Sequence, residues 1–338
     1  MDLGKVAFLV GGGGFAGANS VGFLKALLAK GIRPDFIQAV SVGVLTSAKL
    51  IECDFNIKQL EEIWMNIQKI GPASVFDKKE IPLNIARGSS SLFSNKKVYE
   101  SLVKRINFNA IVNSPIEYQL VTTNATYGCK VVFSNKDEAV QNDPSLLEKA
   151  TLAAVGLFGF LPPVFINNEW YYDGMTFRLG EAIKRGCDTI FILSNTPLEN
   201  DKQKNFNFGE LKWYRSTLFG FQAAVTDLAV TEIEYSVHEG YNLIENNPSE
   251  LLKHLQNKPA RFRRRLRKIL NDAVEVVTSE NPQRVLIPHR IVLLTPTDPI
   301  PTLHTMDFRM ADERTKYPGD IAAAIDQCSQ ISDFLDKL

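Results

Sequence analysis

The chain has 338 residues, 45% of them hydrophobic and 22% charged, a globular composition that excludes a disordered tail, a collagen and a coiled coil. Its 38 basic and 38 acidic residues cancel, so no global field points to nucleic acid as a partner. Cys53, Cys129, Cys187 and Cys328 are scattered without a CxxC pair, which argues against a disulfide scaffold and a zinc cage.

The opening MDLGKVAFLVGGGG has no basic segment and no long apolar stretch, so it does not read as a signal peptide. Residues 5–10, KVAFLV, read as a buried strand. Glycines 11–14 and Gly17 follow. Residues 18–30 then place Val21, Leu24, Leu27 and Leu28 on one helical face, with Gly31 as the stop. Residues 36–40 form a second strand and 45–51 a second helix, which favours a parallel sheet covered by helices. A helix is predicted over 58–68 and a loop-rich stretch over 71–95. Strands follow at 116–123 and 130–133, then a helix at 144–154 and a strand at 189–194. Residues 205–277 read as mainly helical. The chain closes with a strand at 290–294 and an amphipathic helix over 320–338. Strands bracket the helical stretch, so 205–283 is expected as a helical insertion or side layer of a single 1–338 domain. The longest apolar run, 152–166, is short for a membrane span and contains Pro162 and Pro163. A cytoplasmic protein, at most peripheral to a membrane, is expected.

Gly12-Gly13-Gly14-Phe15-Ala16-Gly17 fits G-x-G-x-x-G between a strand and a helix. Such glycines let the backbone turn tightly and bring N–H groups to an anion. A dinucleotide site needs an acidic residue closing the second strand, whereas here Asp35 precedes that strand and Ser41 ends it. A P-loop needs Lys and Ser/Thr where Ala18 and Asn19 stand. An oxyanion hole uses the same N–H groups on a transient alkoxide. A tight turn with no ligand is the plain alternative.

Ala39-Val40-Ser41-Val42-Gly43 lies directly after a strand and before a helix. It is a nucleophile elbow with Ala at the first glycine position; a sharp turn of this kind needs small residues on either side of the serine. An ordinary helix N-cap is the competing role for Ser41. A nucleophilic serine needs a base. His238, His254, His289 and His304 have no distinctive context. Asp173 follows Trp170, Tyr171 and Tyr172 and precedes Gly174; an apolar lead-in raises a carboxylate's proton affinity. An Asp-Gly turn at a hairpin end explains the same residues without chemistry.

Taken together, the glycine loop at 11–17, the elbow at Ser41, the 150–165 stretch ATLAAVGLFGFLPPVF and the Asp173-Gly174 pair resemble the patatin-like phospholipase family. The resemblance extends over about 1–195, and loosely over 284–338. It implies a three-layer α/β sandwich and a Ser41–Asp173 dyad without histidine. It also implies an oxyanion hole from Gly12, Gly13, Gly14 and Phe15, with Gly17, Ala39, Gly43 and Gly174 as supporting small residues. No metal or cofactor is implied. The expected substrate is a lipid acyl ester: a phospholipid, a lysophospholipid or a glyceride. Ala39 and Met175 depart from the family pattern and motivate a rival reading, a catalytically weak or inactive lipid-binding relative. The basic helix from Arg261 to Lys268 is a candidate contact for an anionic membrane, with a solvated helix face as the plain alternative. Residues 213–224, WYRSTLFGFQAA, are a candidate acyl-channel lining, with simple core packing as the plain alternative.

Overall fold

Every side chain of strand β1 (Val6–Val10) is buried, and they divide between two cores. Val6, Phe8 and Val10 face one core while Ala7 and Leu9 face the other, the alternation of a strand covered on both faces. The computed structural model describes residues 2–70, 75–77, 79–195, 233, 242–245, 289–296 and 320–338. After β1 come α1 (Ala18–Ala29), β2 (Phe36–Ala39), α2 (Val42–Glu52), α3 (Ile57–Ile70), α4 (Glu80–Ala86), α5 (Lys96–Ser101) and α6 (Phe108–Val112). Next are β3 (Glu117–Asn124), β4 (Cys129–Ser134), α7 (Glu138–Asn142), α8 (Ser145–Ala154), β5 (Val164–Ile166) and β6 (Glu169–Asp173). Last come α9 (Leu179–Lys184), β7 (Thr189–Leu193), β8 (Asn242–Glu245), β9 (Arg290–Leu294), α10 (Asp320–Ser329) and α11 (Ser332–Leu335).

The strands form one mostly parallel sheet in the order β5-β6-β3-β2-β1-β7-β9-β8, with β4 paired to β3. Helices α1, α2 and α8 bury their apolar residues in one core; α9 contributes Leu179 and Ala182 to the other. This is an α/β sandwich with helices on both faces of the sheet. Gly31, at φ 72°, ends α1 in the left-handed conformation that glycine adopts without strain. Among the described residues, no helix is long and apolar enough to cross a membrane.

Strand β3 positions the site. Its first half, Glu117 to Leu120, pairs in parallel with β2. Its second half, Thr122 to Asn124, pairs antiparallel with β6. Strand β4 spans both halves on the opposite side, through Gln119 to Asn124. So β2 and β6 share one edge of β3 and run toward each other. Ala39 ends β2 opposite Leu120, and Asp173 ends β6 opposite Thr122. Whatever leaves the end of β2 must meet the end of β6.

Some elements differ from expectation. Helix α4 forms inside the stretch read as loop, because Pro82 lies in its first turn, where the missing N–H has no intrahelical partner. The closing helix breaks after Ser329 and resumes at Ser332. The hairpin β5–β6 turns on Asn167 and Asn168, both at positive φ, so Asp173-Gly174 is not a hairpin tip. Within the 205–283 stretch, Asn242–Glu245 is a parallel strand on β9; apart from these residues and Ile233, that stretch lies outside the described residues. So do the basic segment at Arg261–Lys268, the 213–224 segment, and His238, His254 and His304.

Candidate active site

Ser41 stands between β2 and α2 at φ 54° and ψ −133°, a strained conformation for a residue with a side chain. It occupies the N-cap position of α2, yet its hydroxyl makes no capping hydrogen bond. The hydroxyl acts on the Asp173 carboxyl instead, whose proton affinity it lowers. Small residues permit the sharp turn. A Cβ on Gly43 would stand 2.4 Å from the Val10 carbonyl oxygen. Ala39 is fully buried in extended strand between Val10 and Leu120. That site demands small size and not positive φ, so alanine serves there.

Asp173 is 3% exposed. Burial pushes its carboxyl up to about 6, against the opposing effect of the Ser41 hydroxyl and the Met175 N–H. The Met175 N–H donates to Oδ1 at 2.7 Å. The Asp173 backbone is held too: its N–H donates to the Gly156 carbonyl at 3.1 Å, and its carbonyl accepts from the Thr123 hydroxyl at 2.9 Å. Gly174 is required by close approach, since a Cβ there would lie 2.4 Å from the Val121 carbonyl oxygen. Met175 sits at φ 66°. That explains why glycine suits the position, and methionine there costs about 1 kcal/mol of backbone strain.

The glycine loop lies against the serine. A Cβ on Gly12 would stand 2.7 Å from the Ser41 Cβ and 3.3 Å from its Oγ. Gly13 and Gly14 adopt φ 130° and 58°, conformations that other residues reach only with strain. The N–H groups of Gly12, Gly13 and Gly14 find no acceptor among the described residues. Phe15 turns its side chain into the core. Gly17 packs under the start of α2, where a Cβ would meet Val42 and Trp64.

Sequence reasoning missed Asn195, just beyond β7. It is 2% exposed. Its amide nitrogen donates to the carbonyls of Gly11 and Gly12 at 2.7 and 2.9 Å. Its side-chain oxygen accepts from the Ser20 N–H and hydroxyl at 2.9 and 2.7 Å. Its backbone carbonyl accepts from the Asn19 amide at 2.9 Å. One side chain thus ties the glycine loop to α1. An amide directly after an apolar strand, at the same sheet edge as the loop, was the available signal.

The alternatives for the loop fare poorly. Asp35 lies at the start of β2 and accepts the Val6 N–H at 2.7 Å, at the sheet edge away from the glycines. His289 faces Asp188 at 3.4 Å, at the same distant edge. Among the described residues, no group of three or more His, Cys, Asp or Glu side chains is placed to hold a metal ion.

A strained serine, a buried carboxyl that its hydroxyl influences and a glycine loop beside the serine coincide with a family model. The model for patatin-like phospholipase matches residues 8–201. The chain belongs to the patatin-like phospholipase family. That is a family of lipid acyl hydrolases. No curated protein sequence matches this patatin-like chain. Among solved structures, VipD from Legionella pneumophila is similar at 13% identity and a TM-score of 0.36, covering 98% of this chain and 67% of that one.

Proposed function

We propose that this patatin-like chain hydrolyses acyl esters of lipids, with Ser41 as nucleophile and Asp173 as general base. The convergence of the strained Ser41 turn on the buried Asp173 carboxyl, whose proton affinity the Ser41 hydroxyl lowers, carries the reading. An ionised Asp173 accepts the hydroxyl proton as Oγ attacks the ester carbonyl. The tetrahedral oxyanion would rest on N–H groups of the Gly12–Phe15 loop. Collapse expels the alcohol, which takes the proton from Asp173, and leaves an acyl-serine. Water then gives a proton to Asp173 and its hydroxyl to the acyl carbon. Release of the fatty acid returns the proton to Ser41. Burial supports the role of Asp173: a carboxyl lifted to about 6 is a stronger base than an ordinary one and is still mostly ionised at pH 7.

Purified protein should release nitrophenol from p-nitrophenyl butyrate and be labelled by a fluorophosphonate. Ser41→Ala and Asp173→Asn should each lower turnover by roughly 10³-fold or more with folding retained. Full activity in Ser41→Ala would refute the assignment. An unlabelled, inactive wild type would instead favour the lipid-binding relative.

A further inference from the structure

Strand β2 carries one polar residue, Gln38, and it is fully buried. A buried amide costs stability unless its groups are paired. Gln38 shares the sheet face of Phe36, the face whose core also takes Phe177. Its side-chain oxygen accepts the Arg178 N–H at 2.5 Å. Its amide nitrogen donates to the Gln119 side chain, directly opposite on β3, at 3.3 Å. Gln119 in turn donates to Glu117 at 3.5 Å, and Glu117 is paired with Arg185 at 2.6 Å. Arg178 stands at the N-cap of α9, where an N–H has no partner within the helix. A residue of β2, just before Ser41, therefore grips the chain just after Asp173.

The chain between those two points is strained. Met175 is at φ 66°, and the Thr176 N–H donates to the Gly174 carbonyl at 2.7 Å. A three-residue turn with positive φ at its centre is rare and strained, and such strain persists only where the surroundings over-determine it. The entry to the turn is fixed by the bonds of the Asp173 backbone to Gly156 and Thr123. At the exit, Phe177 is buried and Arg178 is tied to Gln38. The turn is what aims the Met175 N–H at Asp173 Oδ1, 2.7 Å away. Besides burial, that N–H and the Ser41 hydroxyl are what act on the carboxyl. The charged side chains Glu117, Arg185 and Glu181 lie at the far end of the Gln38–Gln119 chain of hydrogen bonds and are paired with one another.

We infer that Gln38 is a positioning residue for the Asp173 side chain: by holding the Arg178 N–H it keeps the Met175 turn closed and the Met175 N–H on Oδ1. Without that anchor the turn relaxes out of positive φ and its N–H leaves the carboxylate. The bearing of Gln38 on turnover rests on the reading of Asp173 as general base; the geometry it controls does not.

The test is a carbon-13 NMR titration of the Asp173 carboxyl in the full chain, its resonance identified by its absence from Asp173→Asn. Gln38→Leu offers the Arg178 N–H no acceptor. Its Asp173 should titrate about one unit higher than in wild type, and kcat/KM for p-nitrophenyl butyrate at pH 6 should fall about fivefold. Adding Met175→Gly should bring the titration back toward wild type, because glycine holds the turn without strain. A merely structural Gln38 would lower the melting temperature and leave the titration in place; that result overturns the inference, as does failure of Met175→Gly to restore it. If Gln38→Leu does not fold, Gln119→Leu replaces it. Gln38 then loses the acceptor that orients its amide, and a wild-type titration there overturns the inference as well. The titration needs no turnover. A raised titration in Gln38→Leu without Ser41-dependent hydrolysis in wild type sinks the reaction alone, and an unmoved one with that hydrolysis intact sinks the role of Gln38 alone.

Discussion

At Asp173 the same burial that suits the proposed general base also costs stability. Its carboxyl is raised from 3.8 to about 6 by desolvation, with the Ser41 hydroxyl and the Met175 N–H pulling the other way. The folded protein therefore holds this proton more tightly than the unfolded chain does. Ionisation destabilises the fold in full above about pH 6, and the cost is relieved as pH falls toward 3.8. A shift of that size corresponds to on the order of 3 kcal/mol. Asp173→Asn should accordingly melt at a higher temperature than wild type at pH 7.5, with the gap closing by pH 4; calorimetry across that range checks it. Catalysis runs in the opposite direction. A protonated Asp173 cannot take the Ser41 proton, so kcat/KM should fall about tenfold per unit as pH drops below 6.

At the scale of elements, the glycine loop is shaped by a residue outside it. Its glycines were recognisable because strand, glycines and helix are consecutive. Asn195 was not, because its partners Gly11, Gly12 and Ser20 lie at the other end of a long sequence separation and are reached only through the parallel pairing of β1 with β7. Asn195→Ala would free the Gly11 and Gly12 carbonyls from their anchor and let the N–H groups drift from the proposed oxyanion position. Turnover should fall roughly 10²-fold with KM for a short ester little changed, and fluorophosphonate labelling of Ser41 should slow in proportion. A loss confined to thermal stability, with labelling at the wild-type rate, would show the side chain to be structural only.

Across the whole molecule, helix α10 near the end of the chain closes over the first helix. A Cβ on Gly22 of α1 would lie 2.4 Å from the Ile325 carbonyl oxygen of α10 and 2.7 Å from the Cys328 Cβ. The Cys328 thiol donates to the Asn19 side chain at 3.4 Å, and the Gln68 side chain accepts the Ala322 N–H at 3.0 Å. This is why α1 is buried almost all round despite a sequence pattern that suggested one apolar face. Gly22→Ala should force the two helices apart and cost about 1–3 kcal/mol, read as a lower denaturant midpoint with the slope unchanged.

What the amino-acid order determined alone was local. Periodicity placed β1, β2, β3, β4, β7 and β9 within a residue or two, because a strand covered on both faces writes its burial into consecutive apolar residues. Small residues marked the two sharp turns, because backbone crowding excludes larger ones. The β5–β6 hairpin, the strand Asn242–Glu245 and helix α4 were less visible: short elements leave little pattern, and their stability comes from neighbours. The meeting of Ser41 with Asp173 was decided only by tertiary structure. Either residue by itself fits a helix cap or a turn. They come together because β3 is long enough to carry β2 on one half of its edge and β6 on the other, and strand register is a property of cross-strand hydrogen bonds that no single segment contains.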